Sequence, residues 1–110
     1  LGHTTTAETS RYSHLMRADL RGARLKGAKL TGSDLRDAQL GPLLIAADRV
    51  LPVDLTGAIL ANADLARADL RQARMAGADV SRANFTGAQL KDVDLTGAIR
   101  LAARGLDDVI

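Results

Sequence analysis

Seven aspartates lie at positions that differ by multiples of five, and carboxylates grouped in this way could act as a general acid and a general base. Catalysis, however, needs a concave site from which water is partly excluded. A regular spacing instead favours a repeated structural role, in which each carboxylate faces outward and hydrogen-bonds the backbone of a turn. We therefore expect no catalytic residue and no enzymatic activity. The seven are Asp19, Asp34, Asp54, Asp64, Asp69, Asp79 and Asp94.

Metal and phosphate sites can be judged from the cysteines, histidines and glycines. The chain has no cysteine, and its two histidines, His3 and His14, lack further ligands at a suitable spacing. The stretch 21–27 holds two glycines, as a phosphate-binding loop does, but these glycines belong to a longer regular series and no helix is predicted after them. We expect neither a metal site nor a cofactor.

Positive charge is concentrated towards the N-terminus, although the chain as a whole is nearly balanced at +2. The cluster could bind an acidic protein or a nucleic acid, or it could be an ordinary solvated surface. With one Phe, one Tyr and no Trp, the chain lacks the aromatic side chains on which nucleic-acid bases stack, so we favour the solvated surface. The cluster comprises Arg17, Arg21, Arg24, Lys26 and Lys29.

Length and composition point to one domain with a uniform interior. The 110 residues are 46% hydrophobic but only 2% aromatic, so Leu and Ala must supply most of the core volume. No apolar run approaches the ~20 residues of a membrane-spanning helix. The chain begins with Leu, so we expect it to be processed or excised from a longer protein. We expect it in the cytoplasm, and its preference for Arg over Lys favours a bacterial source.

An apolar residue recurs at every fifth position from 20 to 95, and two residues before most of them lies Ala. Neither an α-helix nor a straight strand would place these residues on one face. A short extended step followed by a turn, once per five residues, would point both the Ala and the larger residue inward. The predicted core comprises Leu20, Leu25, Leu30, Leu35, Leu40, Leu55, Leu60, Leu65, Leu70, Met75, Val80, Phe85, Leu90 and Leu95.

Glycines support the turns, because they recur two residues after a core residue, where a tight corner favours them. They are Gly22, Gly27, Gly32, Gly57, Gly77, Gly87 and Gly97. Over residues 13–99 the pattern resembles the A(D/N)LxX motif of the pentapeptide-repeat family, as in 63–72 and 83–87. The resemblance implies an all-β fold, a right-handed quadrilateral parallel β-helix with four repeats per coil.

Four repeats per coil would stack residues that are 20 apart. One outward column would then hold Asp34, Asp54, Arg74 and Asp94, and the next Lys29, Arg49, Asp69 and Gln89. The heptapeptide 53–59 recurs unchanged at 93–99, so both copies should lie on the same side of the rod. Their outward Ile59 and Ile99 would form a small exposed apolar pair. The basic cluster would form a rim around the first coil.

The repeat weakens between residues 41 and 52, and two interpretations remain open. The segment could continue the coil, which would direct Asp48 into the core. It could instead leave the coil as an irregular loop or a short helix, which we favour, because Leu43, Leu44 and Leu51 would share a helical face after Pro42. That face could contact a partner.

The two ends of the chain are expected to differ from the rod. Residues 1–12 are predicted to be a flexible segment or a cap. Residues 100–110 are predicted to be a C-terminal cap, because Arg100 stands where a core residue is due. Such a cap would cover unpaired backbone groups, or two copies could form a homodimer through it.

The leading functional prediction is a non-enzymatic structural or protein-interaction module that presents β-helix faces to a protein partner. Two alternatives come from different evidence. Some members of the resembled family imitate duplex DNA and act on type II topoisomerases, although this chain lacks their strongly acidic walls. The basic N-terminal end could alternatively bind nucleic acid or an acidic partner. Interaction residues are predicted at Arg17, Arg21, Arg24, Lys26, Lys29, Leu43, Leu44, Leu51, Ile59 and Ile99.

Overall fold

The computed structural model describes residues 15–106, and outside residues 41–52 the backbone of this part turns once in every five residues. Each turn is closed by a hydrogen bond from the residue three positions after a core residue, as from Ala63 N–H to the Leu60 carbonyl (3.0 Å). The third residue of the turn has a positive φ, as in a type II turn. Glycine occupies seven of these fifteen corners, and residues such as Arg67 and Gln72 occupy the others.

Four short steps complete one coil, and successive coils are joined by parallel β-bridges. The bridges connect the outward residues at the middle of each step, so they define four sides of a square rod. Side A carries Asp19, Gln39, Asp69 and Gln89; side B carries Arg24, Asp54, Arg74 and Asp94; side C carries Lys29, Ile59, Asp79 and Ile99; side D carries Asp34, Asp64, Asn84 and Arg104. The chain is therefore an all-β, quadrilateral β-helix.

Residues 41–52 leave the rod as an antiparallel β-hairpin. Strand β1 is Leu43–Ala46, strand β2 is Arg49–Leu51, and Leu43 pairs with Leu51. The segment thus leaves the coil, which was the favoured prediction, but as two paired strands rather than as an irregular loop or a short helix. The alternative in which Asp48 enters the core is wrong, since Asp48 is exposed at the hairpin turn. The physical reason is that leucines and β-branched residues flank the two-residue turn formed by Ala47 and Asp48, a pattern that suits paired strands.

The hairpin inserts ten residues into the second coil and so changes which residues stack. Residues 30 apart are bridged across it, as Asp34 with Asp64, whereas residues 20 apart are bridged elsewhere, as Asp54 with Arg74. Both predicted columns are therefore wrong on the N-terminal side of the hairpin: Asp54 stacks on Arg24, and Arg49 lies in β2. The two copies of the heptapeptide do share sides, because no insertion separates them.

The core lies along the axis of the rod, and its side chains are most completely buried in the middle coils. The predicted core residues from Leu35 to Phe85 are at most 1% exposed, and alanines such as Ala63 fill the space between them. The outer coils are less covered, and five predicted core residues there are only partly buried. These are Leu20, Leu25, Leu30, Leu90 and Leu95.

The repeating conformation continues beyond Ile99, where the sequence predicted a cap. A turn joins Arg100 to Ala103, and Arg104 is bridged to Asn84. Arg100 is accommodated because the last coil is open to solvent, so its side chain is exposed. Leu106 is 9% exposed and joins the core cluster. The predicted N-terminal segment 1–12 and the end of the predicted cap lie outside the described residues.

Candidate interaction surface

The aspartates at the middle of each side hold the adjoining turn in place. Asp54 Oδ1 accepts a hydrogen bond from the Thr56 N–H (3.0 Å), and Asp64 Oδ1 accepts one from the Ala66 N–H (3.1 Å). Asp94 makes the same bond to Thr96, whose hydroxyl also donates to it at 2.7 Å. Because the carboxylates satisfy turn N–H groups that have no other partner, their spacing follows the turns rather than a catalytic site.

Arginines reinforce several of these carboxylates from the next corner. The guanidiniums of Arg21, Arg36 and Arg71 each donate two hydrogen bonds to the aspartate two residues earlier, at 2.7–2.8 Å. The side-chain hydrogen bond from Arg21 lowers the pKa of Asp19 to about 2. Equivalent bonds from Arg36 and Arg71 lower the pKa values of Asp34 and Asp69. Carboxylates held ionised in this way are poor proton donors at neutral pH.

Among residues 15–106 there is no group of three His, Cys, Asp or Glu side chains that could hold a metal ion. His3 and His14 lie outside the described residues. No helix in the described part of the chain is long and apolar enough to cross a membrane.

The predicted basic residues surround the first described coil. Arg17 occupies the corner that leads into it, Arg24 lies on side B, and Lys29 lies on side C. Arg21 and Lys26 occupy the corners that follow sides A and B, and the side chains of all five are exposed. Only Arg21 has an ion-pair partner within the described residues, Asp19 at 2.8 Å.

The hairpin rests on this coil at the corner between sides A and B. A Cβ atom added to Gly22 would lie 2.9 Å from Leu43 Cβ and 3.4 Å from Leu51 Cδ2, so both leucines pack closely over the glycine. At the base of the hairpin, a Cβ added to Gly41 would lie 2.7 Å from Asp69 Oδ2. The hairpin is therefore directed back along the rod towards its basic end.

The hairpin also presents an apolar surface to solvent. Leu44 is 66% exposed, and Ile45, Val50 and Leu51 are 40–47% exposed. Neighbouring exposed apolar side chains of this kind typically mark an interaction site. Sequence reasoning selected Leu44 and Leu51 as interaction residues but not Ile45 and Val50. Val50 lies on the predicted helical face with Leu44 and Leu51, whereas Ile45 would point away from that face. The signal that could have identified both is the short apolar run on each side of the turn at residues 47 and 48. We call the hairpin and the five basic residues the N-terminal surface.

Ile59 and Ile99 do not form the predicted apolar pair. Both lie on side C, but Asp79 stands between them in the column. Ile59 is partly buried, whereas Ile99 is 54% exposed. They are separate surface residues and do not belong to the N-terminal surface.

Comparison with known proteins agrees with this geometry. The family model for pentapeptide repeats matches residues 11–40, 53–87 and 63–99, in eight copies, and its matches leave out the hairpin. Nothing among curated protein sequences matches the chain.

Three of the solved structures that are similar to this chain come from cyanobacteria and a plant. The pentapeptide repeat protein Rfr23 from Cyanothece 51142 has a TM-score of 0.52 and 27% identity, over 83% of this chain and 57% of its own. One from the Arabidopsis thaliana thylakoid lumen has a TM-score of 0.49 and 24% identity, over 83% and 63%. One from Nostoc Pcc 7120 has a TM-score of 0.43 and 30% identity, over 84% and 71%. This chain thus spans less than two thirds of the first two proteins.

Proposed function

The chain belongs to the pentapeptide-repeat family, and we propose that it is a non-enzymatic module that binds a protein partner through its N-terminal surface. The observation that carries this proposal is the exposed apolar hairpin lying against a coil on which four of the five basic side chains have no ion-pair partner within residues 15–106. A β-helix needs no hairpin to close its core, because the coil on either side of the insertion is regular. The hairpin is therefore free to serve contact with another molecule.

The chemistry of the surface indicates the class of partner. Four exposed apolar side chains offer a contact from which water can be displaced, and surrounding cations favour an acidic rim on the other molecule. We therefore propose a partner with an apolar segment flanked by Asp or Glu. Nucleic acid is a weaker fit, because the only aromatic side chain among residues 15–106, Phe85, is buried in the core at 1% exposure and cannot stack on bases.

The proposal can be tested by photo-crosslinking in cells that express the chain, with a crosslinking amino acid at Ile45. Leu101 provides the control position, since it is also apolar and is 70% exposed but lies at the diagonally opposite corner of the last coil. We expect a discrete adduct from Ile45 that is absent from Leu101 and weakened by Lys26→Glu with Lys29→Glu. The same adducts from both positions, or adducts removed by nuclease, would contradict the proposal.

A second variant removes the hairpin without removing the rod. Residues 42–52 are replaced by one glycine, which takes the positive φ of the missing corner, while Gly41 is kept because Asp69 leaves no room for a side chain there. This variant should fold, since it restores the 20-residue offset throughout. It should lose the partner, and a folded variant that still captures the partner would show that the hairpin is not the contact.

A further inference from the structure

Side B differs from the other sides in the order of its charges. Its column reads Arg24, Asp54, Arg74 and Asp94 from the N-terminal end, so positive and negative charges alternate at every coil. Side A alternates aspartate with glutamine, side C includes two isoleucines, and side D has two successive aspartates. We call the four residues of side B the alternating column.

Within the described residues, no charged group of the alternating column forms a close ion pair. Among residues 15–106, neither Arg24 nor Arg74 has a carboxylate within 4.0 Å, whereas Arg21, Arg36, Arg67 and Arg71 all do. Asp54 and Asp94 each accept the turn N–H of Thr56 or Thr96 through Oδ1, and Oδ2 of each accepts no hydrogen bond among residues 15–106. All four groups can therefore accept partners from outside.

An alternating row of four charges is complementary to itself when it is reversed. If a second copy lies antiparallel, Arg24 faces Asp94 of that copy and Asp54 faces Arg74, and the two-fold axis repeats both pairs. The spacing matches automatically, because both rows have the same interval between coils, about 4.8 Å. A parallel arrangement in register would instead place like charges opposite each other at every level.

One edge of side B is also open to close approach. The corner after side B carries glycine in all four coils, and a Cβ added at any of them would meet no atom within 4 Å. The corner residue before each glycine is short in three of the four coils. Other corners carry long side chains such as Arg67, Gln72 and Arg82. The glycines are Gly27, Gly57, Gly77 and Gly97.

We propose that side B is a contact between two copies of this chain, which pair antiparallel so that each arginine of the alternating column meets an aspartate of the other copy. This goes beyond the proposed function, because its partner is a second copy of the chain and its contact runs the length of side B, where it shares only Arg24 with the N-terminal surface. The interface is isologous, so it closes as a dimer and does not extend into a filament. Its stability depends mainly on charge, so association should weaken as ionic strength rises.

Charge reversal with analytical ultracentrifugation over a concentration series tests the pairing. Arg74→Asp or Asp54→Arg alone places like charges opposite each other twice, and each should weaken self-association at least tenfold. The two single variants mixed together are complementary at all four levels, so an equimolar mixture should recover a heterodimer with affinity within threefold of the wild type. Asp79→Arg is the matched control on side C, since Asp79 also accepts a turn hydrogen bond, from Ser81 N–H (3.0 Å). It should leave self-association unchanged.

Circular dichroism melting of each variant separates loss of pairing from loss of folding, and the mixture provides a second separation because it needs both variants folded. The proposal would be overturned by a wild-type chain that stays monomeric at low salt, by single reversals that leave association unchanged, or by a mixture that stays monomeric. Concentration-dependent filaments would also overturn it, because they would indicate a parallel arrangement staggered by one coil.

Discussion

Adding a methyl group to Gly22 should release the hairpin from the rod, and Gly77 provides the matched position. Both glycines occupy the third position of a turn, with φ of +69° and +70°, so Gly→Ala forces the same left-handed conformation in each. At Gly77 the new Cβ meets nothing within 4 Å, whereas at Gly22 it would lie 2.9 Å from Leu43 Cβ. The difference between the two variants therefore isolates the packing of the hairpin.

The expected loss of unfolding free energy has two contributions, the left-handed conformation forced on alanine and the lost packing of Leu43. A left-handed conformation costs an alanine roughly 1–2 kcal/mol. The lower entropy of the unfolded alanine chain offsets about 0.4–1 kcal/mol of this, so Gly77→Ala should lower the free energy of unfolding by about 1 kcal/mol. Gly22→Ala should also displace Leu43, which is partly buried. Full burial of a leucine contributes about 1.5–3 kcal/mol, so roughly half of that is lost and the total becomes about 2 kcal/mol.

Urea unfolding gives the two free energies, and limited trypsin digestion reports on the hairpin itself. Arg49 lies in β2, so its cleavage rate should rise in Gly22→Ala and stay at the wild-type level in Gly77→Ala. Equal destabilisation of the two variants, with equal cleavage after Arg49, would refute the packing of the hairpin against the first coil.

Three further outcomes are expected. Leu65→Ala should lower the free energy of unfolding by about 2–5 kcal/mol, because Leu65 is fully buried in a middle coil. Leu101→Ala should change it by less than about 0.5 kcal/mol, because Leu101 is exposed. If urea unfolding showed a similar loss of stability for both variants, the buried axial core would be contradicted. The melting temperature should be steady from pH 7 to 5 and should fall as the pH drops below 4 towards 2. The reason is that aspartates such as Asp19 have pKa values in the folded state below the ordinary 3.8, so the stability that they contribute is present above pH 3.8 and is lost when they are protonated. A melting temperature that did not change with pH would contradict this. DNA gyrase supercoiling should be unaffected by the chain, because side B alternates in sign and Asp19, Asp34 and Asp69 are paired with arginines; inhibition would favour the DNA-mimic alternative.

The fold could be predicted from the sequence because the same five-residue pattern recurs through most of the chain. The five-residue interval between apolar residues excludes a helix and a straight strand, and the resemblance to pentapeptide repeats supplies the four-sided coil. Glycine two residues after a core residue indicated the corners, and those glycines have positive φ in the structure. Polar and charged residues such as Asn62 and Arg67 hold the same conformation, which their sequence did not indicate.

The hairpin, and the order in which charged residues stack along each side of the rod, could not be predicted in the same way. Ile45 and Val50 keep the five-residue interval, so the insertion left no break in phase that would reveal two strands outside the rod. Because the insertion is ten residues long, it shifts the stacking from 20 to 30 residues while preserving which side chains face inward. Which residue stacks on Arg24 in the next coil, here Asp54, therefore depends on where the chain leaves the rod, and no local sequence pattern indicates that position.

The shifted register across the hairpin is the central structural claim, because both the N-terminal surface and the alternating column depend on it. The chain has no cysteine, so engineered pairs can be tested without interference. Bridged residues on adjacent coils lie about 4.8 Å apart, within the range that a disulfide can span. Asp34→Cys with Asp64→Cys should form an intramolecular disulfide on mild oxidation, and Asp34→Cys with Asp54→Cys should not. Closure of the second pair instead of the first would show that the coils stack without the shift.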